Sequence, residues 1–464
     1  MKKQIISIPS SFRDPSGFLF TRDGILYRQI NEEYKPIYTK FMESGLYQSL
    51  IKKGWLIPHE EMKEAEAANP EKSFLVIKPL KVGFISYPYE WCFSQLKDAA
   101  LLTLKIQKLA LNKGLILKDA SAYNIQFEKG KPVLIDTLSF DDYAEGKPWD
   151  AYRQFCQHFL APLVLMSKVD IRLNQLLRVY IDGIPLDLTS RLLPWNSRLN
   201  IGLGTHIHMH ANAQKKYSEK QTNSGKKPTV SKMGLLGLID SLENTVKSLE
   251  WQPKGTEWAE YYDITNYSAS AFEQKKAMVK DYVAAAGGGI IWDMGSNTGE
   301  FSRAAVTEDG LVVSFDIDPA AVEKNYRQVK SAKEINILPL VLDLTNPSGD
   351  IGWANRERDS LGKRGPANVV MALALIHHIC ISNNVPMENF AAYLQTLGKF
   401  LVIEFVPKED SQVKILLSTR KDIFPQYSIP GFEAAFQQYF EIIRKQPVEG
   451  SLRVLYLLKS KSSG

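Results

Sequence analysis

The chain of 464 residues has room for two or three domains, each large enough to bury a core. Its 44% hydrophobic and 23% charged residues are ordinary for a soluble globular protein, and a formal charge of +6 over this length argues against a dedicated nucleic-acid binder. Cys92, Cys156 and Cys380 are far apart and odd in number, so they indicate neither a disulfide framework nor a CxxC metal site, and a reducing compartment is expected.

The apolar start at Ile5, Ile6 and Ile8 is cut short by Pro9-Ser10-Ser11, too soon for a signal peptide. No apolar run approaches the roughly 18 residues of a membrane span. The expectation is a cytoplasmic protein without a membrane span. Residues 17–20 and 25–30 flank an Asp23-Gly24 turn and read as a hairpin. Helical patterning follows over 34–56, then strands at 74–78 and 82–86. Residues 93–111 read as a long amphipathic helix with Leu96, Ala100, Leu104 and Ala110 on one face.

Asp119 and Asn124 then stand in the spacing Asp-x-x-x-x-Asn, and Asp136 ends the apolar strand 132–136. Phosphoryl transfer uses such a trio, one Asp to orient the hydroxyl and an Asn and an Asp to hold magnesium. The stretch resembles the catalytic core of protein-kinase-like and aminoglycoside-phosphotransferase-like enzymes. The resemblance implies an α+β kinase-like domain, with Asp119 as the catalytic carboxylate and Asn124 and Asp136 as metal ligands of Mg-ATP. Against that pattern, Lys118 precedes Asp119, and the first hairpin offers only Gly17 and Gly24 for a phosphate loop. Arg28 or Lys78 would have to replace the phosphate-pairing lysine, and Tyr87-Pro88-Tyr89-Glu90-Trp91 falls at the lobe hinge. A plainer reading stands beside it, in which Asp119 and Asn124 cap turns and Asp136 closes a strand. The poor match of the nucleotide-gripping parts favours a pseudokinase-like scaffold or recognition module over active phosphotransfer.

Residues 150–193 are again patterned as helix. Alternation at His206, His208 and His210 predicts a strand with three imidazoles on one face, either a metal site or, better supported, side chains packed and hydrogen-bonded to a neighbouring segment. Residues 214–232 are rich in Lys, Ser, Thr, Asn and Gly and read as a solvated linker, and 233–249 as an amphipathic helix. The expected domains are 1–213, a linker and connecting helix at 214–250, and 251–464.

From residue 289 strands alternate with segments long enough for helical crossovers. The strands read are 290–292, 311–315, 337–342, 369–373 and 400–405, with a closing hairpin at 439–443 and 453–458. This predicts an α/β domain with a Rossmann-like, doubly wound parallel sheet closed by an antiparallel hairpin. Ligands of such sheets sit beyond the carboxyl ends of the strands. There the chain carries Asp293, Asp316, Asp343 and His377, with Glu404 within the fifth strand. Asp293-Met294-Gly295-Ser296-Asn297-Thr298-Gly299-Glu300 is a strand end, a glycine turn and a helix start. Asn297 and Glu300 stand where a dinucleotide site has its second and third glycines, and a carboxylate at that helix start repels a pyrophosphate.

The turn resembles motif I of class I S-adenosylmethionine-dependent methyltransferases. The resemblance implies that Asp293 and the turn Gly295, Ser296, Asn297 and Gly299 hold the methionine end of S-adenosyl-L-methionine. Asp316, with Asp318 nearby, would take the ribose hydroxyls, and Asp343 and Leu344 the adenine. The aromatic segment with Trp258, Tyr261, Tyr262 and Tyr267 either lids the cofactor or packs on the sheet. His377 or His378 would meet the acceptor, with Glu404 orienting the imidazole, or all three are structural and positioning does the catalysis. The whole chain is similar to bacterial proteins related to a rhizobial nodulation host-specificity protein. Kinase-like and methyltransferase modules also occur together, in the opposite order, in O-antigen chain-terminating enzymes. These likenesses imply O-methylation of a small-molecule or glycan-type acceptor. The alternatives are a bifunctional kinase and methyltransferase, and a catalytically silent binding protein.

Overall fold

A computed structural model of the protein describes residues 5–62, 67–209, 229–254, 269–418 and 420–461. The chain forms two compact units, Met1–Trp251 with Asp350–Arg358, and Gln252–Gly349 with Asp359–Gly464. Among the described residues no helix is long and apolar enough to cross a membrane.

The first unit opens with an antiparallel sheet of order β1-β2-β3-β5-β4, built from Ile5–Ser7, Gly17–Arg22, Ile25–Asn31, His59–Glu61 and Ser73–Pro79 as β1 to β5. Asp23 and Gly24 both take positive φ (52° and 78°), the paired left-handed residues that close a two-residue hairpin along the twist of its strands. The helical stretch expected at 34–56 is two helices, α1 (Lys35–Glu43) and α2 (Leu46–Lys52), split at Gly45 with φ 71°. Residues 82–86 are not a strand. The Gln126 side chain accepts from the Ser86 N–H (2.8 Å) and donates to the Ser86 carbonyl (2.9 Å), meeting the backbone needs a neighbouring strand would have met.

Helix α3 (Phe93–Asn112) buries Leu96, Ala100, Leu104 and Ala110 completely. It is followed by β6 (Leu115–Leu117), paired with β9 (Phe140–Asp142), and by the hairpin β7 (Ile125–Glu128) and β8 (Lys131–Leu134). Residues 150–193 are several short helices rather than one. At Cys156–Leu160 the Ala161 N–H bonds the Cys156 carbonyl in a π-turn, just before Pro162, which has no N–H to continue an α ladder. The expected strand at 205–210 is a π-turn too, Gly204–Met209. Helix α4 (Lys232–Ser248) belongs to this unit. It lies on α3, where Lys108 pairs with Asp240 and Glu243 and Lys97 bonds the Lys247 and Leu249 carbonyls.

In the second unit seven strands, β10 (Ile290–Met294), β11 (Leu311–Asp316), β12 (Ile337–Val341), β13 (Ala367–Ala372), β14 (Gly398–Phe405), β15 (Phe440–Pro447) and β16 (Val454–Ser460), lie in the order β12-β11-β10-β13-β14-β16-β15. The first five are parallel, and β16 enters antiparallel between β14 and β15. Val312, Val369, Met371 and Val402 are fully buried, as expected of parallel strands covered on both faces. Helices α5 (Ala269–Ala285), α6 (Glu300–Ala305) and α7 (Pro319–Ala332) accompany the first strands. The strand order reverses between β10 and β13, and a crevice opens at such a switch point beyond the carboxyl ends.

Candidate functional site

At the end of β10 the backbone turns through three left-handed residues, Gly295 (φ 78°), Asn297 (φ 51°) and Gly299 (φ 84°). A Cβ on Gly299 would sit 2.6 Å from the Asn325 amide, so the residue is glycine for space as well as conformation. Asn297 takes the left-handed backbone in place of a glycine, which Asn tolerates better than other side chains. The Gly295 and Ser296 N–H groups both bond the Phe315 carbonyl of β11 at 2.9 Å, which fastens the turn to its neighbour strand. The Ser296 hydroxyl is buried without a hydrogen-bond partner among the described residues. A buried polar group left so is a cost unless a ligand meets it.

Asp316 closes β11 beneath this turn. Its Oδ2 accepts the Asn297 N–H at 2.7 Å and its Oδ1 the Asp318 N–H at 2.8 Å. Burial lifts its carboxyl to about 6, against the pull of those amides. Asp318 is the N-cap of α7 and accepts from Ala320 (2.7 Å) and Ala321 (3.3 Å). Asp293, 1% exposed, accepts the Ser302 hydroxyl at 2.6 Å; burial and then Asp316 raise its carboxyl to about 7, opposed by Ser302 and Lys275. After β12, Asp343 makes a turn in which its Oδ1 accepts both the N–H (2.8 Å) and the hydroxyl (2.6 Å) of Thr345, with Leu344 half-buried beside it. Asp293, Gly295, Ser296, Asn297, Gly299, Asp316, Asp318, Asp343 and Leu344 therefore all lie at the carboxyl ends of the first three strands. Trp258, Tyr261, Tyr262 and Tyr267 lie outside the described residues.

His377 and His378 follow β13, their rings 4.1 Å apart. His377 is buried and its Nδ1 has no partner among the described residues. Burial lowers both imidazoles, His378 to about 4 and His377 well below its ordinary value, with Arg453 adding to each, so both are neutral at pH 7. Glu404, fully buried on β14, forms an ion pair with Lys275 of α5 at 2.7 Å and faces Arg453 of the loop before β16 at 4.0 Å. Arg453 in turn grips Asp410 at 2.8 and 3.3 Å. The Lys275 ammonium lies 4.4 Å from the centre of the Phe301 ring.

Sequence reasoning missed Lys275, Arg453, Ser302 and Asn325. Lys275 had a legible signal: it sits among Ala271, Phe272, Met278, Val279 and Tyr282 at helical spacing, on a face otherwise apolar. A lysine there requires a buried anion.

In the first unit Asp119, Asn124 and Asp136 also converge. Asp119 Oδ1 accepts from the Ser121 N–H (2.9 Å) and the Gln154 amide (2.8 Å), and burial followed by Asp136 raises its carboxyl. Asp136 is heavily used: Oδ1 meets Arg28 of β3 at 2.5 Å and the Leu138 N–H at 2.9 Å, and Oδ2 accepts from Ser139 at 2.8 Å. Asn124 donates to that same Ser139 hydroxyl at 3.2 Å. Arg28 also reaches Asp14 at 3.4 Å, and Lys118 bonds Ser16 at 2.7 Å. Of the two expected lysine substitutes, Arg28 is at this cluster, while Lys78 lines a separate groove of about 430 Å³ with His59 and Lys81. Magnesium coordination by Asp136 requires the guanidinium to leave, so the cluster as folded does not fit Mg-ATP. Among the described residues no three His, Cys, Asp or Glu side chains are grouped to hold a metal. His206 bonds Tyr152 and Ser241 through its two ring nitrogens, and His208 bonds Ser190 and Ser197 through its own, which makes both hydrogen-bonding histidines of the fold. His210 lies outside the described residues.

No family model matches the chain. It is 33% identical over 457 residues to the nodulation protein NoeA of Rhizobium meliloti (strain 1021), covering 97% of this chain and 95% of that protein. Similar solved structures include the magnesium protoporphyrin IX methyltransferase of Synechocystis PCC 6803 with bound SAH (18% identity, 44% of this chain and 93% of that one, TM-score 0.32). Another is WbdD (12% identity, 46% of each chain, TM-score 0.29).

Proposed function

The chain belongs to the family of the nodulation protein NoeA, and we propose that it is an S-adenosylmethionine-dependent methyltransferase that O-methylates a small-molecule or glycan-type acceptor. One observation carries the reading: the Asp316 carboxylate, buried at the end of β11, is held by the Asn297 and Asp318 amides beside a turn of three left-handed residues. A carboxylate fixed by neutral donors keeps acceptor capacity for two vicinal hydroxyls, which is what a ribose presents. The turn above it leads into a helix that starts with Glu300, where a dinucleotide-binding turn has its third glycine, and Glu300 is paired with Lys276 at 2.9 Å. A nucleoside cofactor without a diphosphate fits both features. The unpartnered Ser296 hydroxyl supplies a further contact for it.

Bound S-adenosylmethionine supplies an electrophilic methyl group for in-line transfer to an acceptor oxygen. In this reading Asp293, Ser296 and the Gly295–Gly299 turn hold its amino-acid end, Asp316 its ribose, and Asp343 and Leu344 its adenine. His377 and His378 face the acceptor. Burial and the Arg453 charge disfavour imidazolium, so these rings accept a hydrogen bond from the hydroxyl and orient it rather than retain its proton. Glu404, paired with Lys275 through its Oε2, is held fixed on the neighbouring strand. The rate then rests chiefly on positioning.

For the first unit we propose a kinase-like module without phosphotransfer, because Arg28 stands on Asp136 where a magnesium ion would bind. Magnesium-dependent binding of ATP that is lost in Asp136→Ala would reverse this and favour a bifunctional enzyme. The test of the main reading is calorimetry of pure protein with S-adenosylmethionine, followed by transfer of labelled methyl into fractionated lysate. Failure to bind the cofactor would leave a silent binding protein.

A further inference from the structure

The buried charges around the glycine turn do not cancel. Lys275 is committed to Glu404 at 2.7 Å, and Arg453 to Asp410 at 2.8 Å. Asp293 is as deeply buried as any of them, yet its hydrogen-bond donor is the neutral Ser302 hydroxyl. Among the described residues the elements around it bring no further cation to it, Lys280 of α5 and Lys399 of β14 being exposed. On α6, Glu300 is paired with Lys276, and Arg303 with Glu334 at 2.9 Å. On β11 stands Asp316, a like charge, with Ser314 bonded to Asn325 and Ser302. Strand β13 carries no titratable side chain, β14 carries Glu404, and α5 carries the Lys275 already paired with it. An ionised carboxylate in such a place costs several kcal/mol unless compensated.

Resting on the methyl-donor reading, we propose that Asp293 tells donor from product by charge: it holds its proton in the empty site, releases it to solvent as the cationic donor binds, and recovers one when the uncharged product is left. The donor has one positive charge in excess, from sulfonium and ammonium against one carboxylate, while the demethylated product has none. The donor therefore stabilises the ionised carboxylate that the fold leaves uncompensated, and the product does not. The direction of the Asp293 shift, up to about 7, agrees with a proton held in the empty site near neutrality. Lys275 enters as a positioning residue. Tied to Glu404, it offsets the Asp293 charge only in part, its pull being outweighed by burial.

The experiment is calorimetric titration of the full chain with S-adenosylmethionine and with S-adenosylhomocysteine, in two buffers of different ionisation enthalpy, from pH 6 to 8.5. Donor binding is expected to release roughly half a proton at pH 7 and less towards pH 8.5, and its affinity to fall about tenfold per unit below pH 7. Product binding should show little of either. Asp293→Asn should abolish the proton release and narrow the gap between the two affinities. Ser302→Ala, which removes a bond to the ionised form, should enlarge the release at pH 7. Donor binding with heats independent of buffer, or a release that persists in Asp293→Asn, would overturn the proposal and leave the methyltransferase reading standing. Absence of donor binding at every pH would instead remove that reading.

Discussion

Two carboxylate clusters stand at strand ends of this protein, a half-buried one in the first unit and a buried one in the second, and their partners differ. In the first unit Asp136 is met by the Arg28 guanidinium at 2.5 Å. In the second, Asp316 is met by two backbone amides and Asp293 by a hydroxyl. A cation at contact distance quenches the field a ligand would feel, whereas neutral donors orient a carboxylate and leave its charge outstanding. Similar residues at similar positions thus differ in how their charge is met: by a cation in the first cluster, and by neutral donors in the second, as the proposed ligand site requires.

The largest expected effect tests a fully buried, cation-paired carboxylate of the second unit. Lys275→Met strands Glu404, which is fully buried, and removing one partner of such a pair costs about 3–5 kcal/mol. Urea denaturation followed by tryptophan fluorescence should show that loss in the transition of the second unit. A loss under 1 kcal/mol would mean that Arg453 takes over the charge. Asp316→Ala comes next. It is expected to weaken S-adenosylmethionine binding by roughly 10- to 100-fold, the worth of one or two hydrogen bonds to a charged group. Unchanged affinity by calorimetry would refute the ribose assignment, and with it the contrast between the clusters. Gly299→Ala should cost about 1–3 kcal/mol, since the backbone stands at φ 84° and the new methyl meets Asn325 at 2.6 Å. Its check is the thermal midpoint without ligand, which should fall.

Much of the second unit could be read from residues alone. Its parallel strands are continuous apolar runs, and the acids Asp293, Asp316 and Asp343 mark their ends, because period and burial are local properties. Asn297 in a left-handed turn was legible for the same reason. What stayed hidden depends on distant chain. Glu404 reads as a partner of the histidines, but the lysine 129 positions away that also pairs with it cannot be read from the pattern. Residues 82–86 have the pattern of a strand, but Gln126, 40 positions on, meets the Ser86 backbone instead. Alternation at His206 and His208 suggests a strand, yet the segment is a π-turn with those rings bonded to Tyr152, Ser241, Ser190 and Ser197. The kinase-like trio was visible and Arg28 of β3 was a candidate cation for it, but not that Arg28 pairs with Asp136, over a hundred residues further on. For the two clusters the pattern gave the residues and a long-range partner was hidden; for 82–86 and 205–210 it gave the wrong element, because side-chain bonds from distant residues replaced a strand ladder.

The smallest expected effect is a flat line, and it sharpens the contrast from the side of the histidines. His378 is lowered to about 4 chiefly by burial and then by Arg453, so its neutral form is the one the fold favours. A folded value below the ordinary 6.5 means that this contribution to stability is complete above pH 6.5 and is lost as pH falls towards 4. Between pH 6.5 and 8 the imidazole does not change charge. The urea midpoints of wild type and His378→Gln should therefore run parallel over that interval and draw together below it, as the wild type loses what the variant never had. The rate of methyl transfer should likewise show no inflection near 6.5 that His378→Gln removes. Any slope of donor affinity between pH 6 and 7 belongs to Asp293, raised to about 7, and should vanish with Asp293→Asn, not with the histidine. An inflection near 6.5 that follows His378 would mean that the ring titrates in water, and that the second site is more open than its buried partners require.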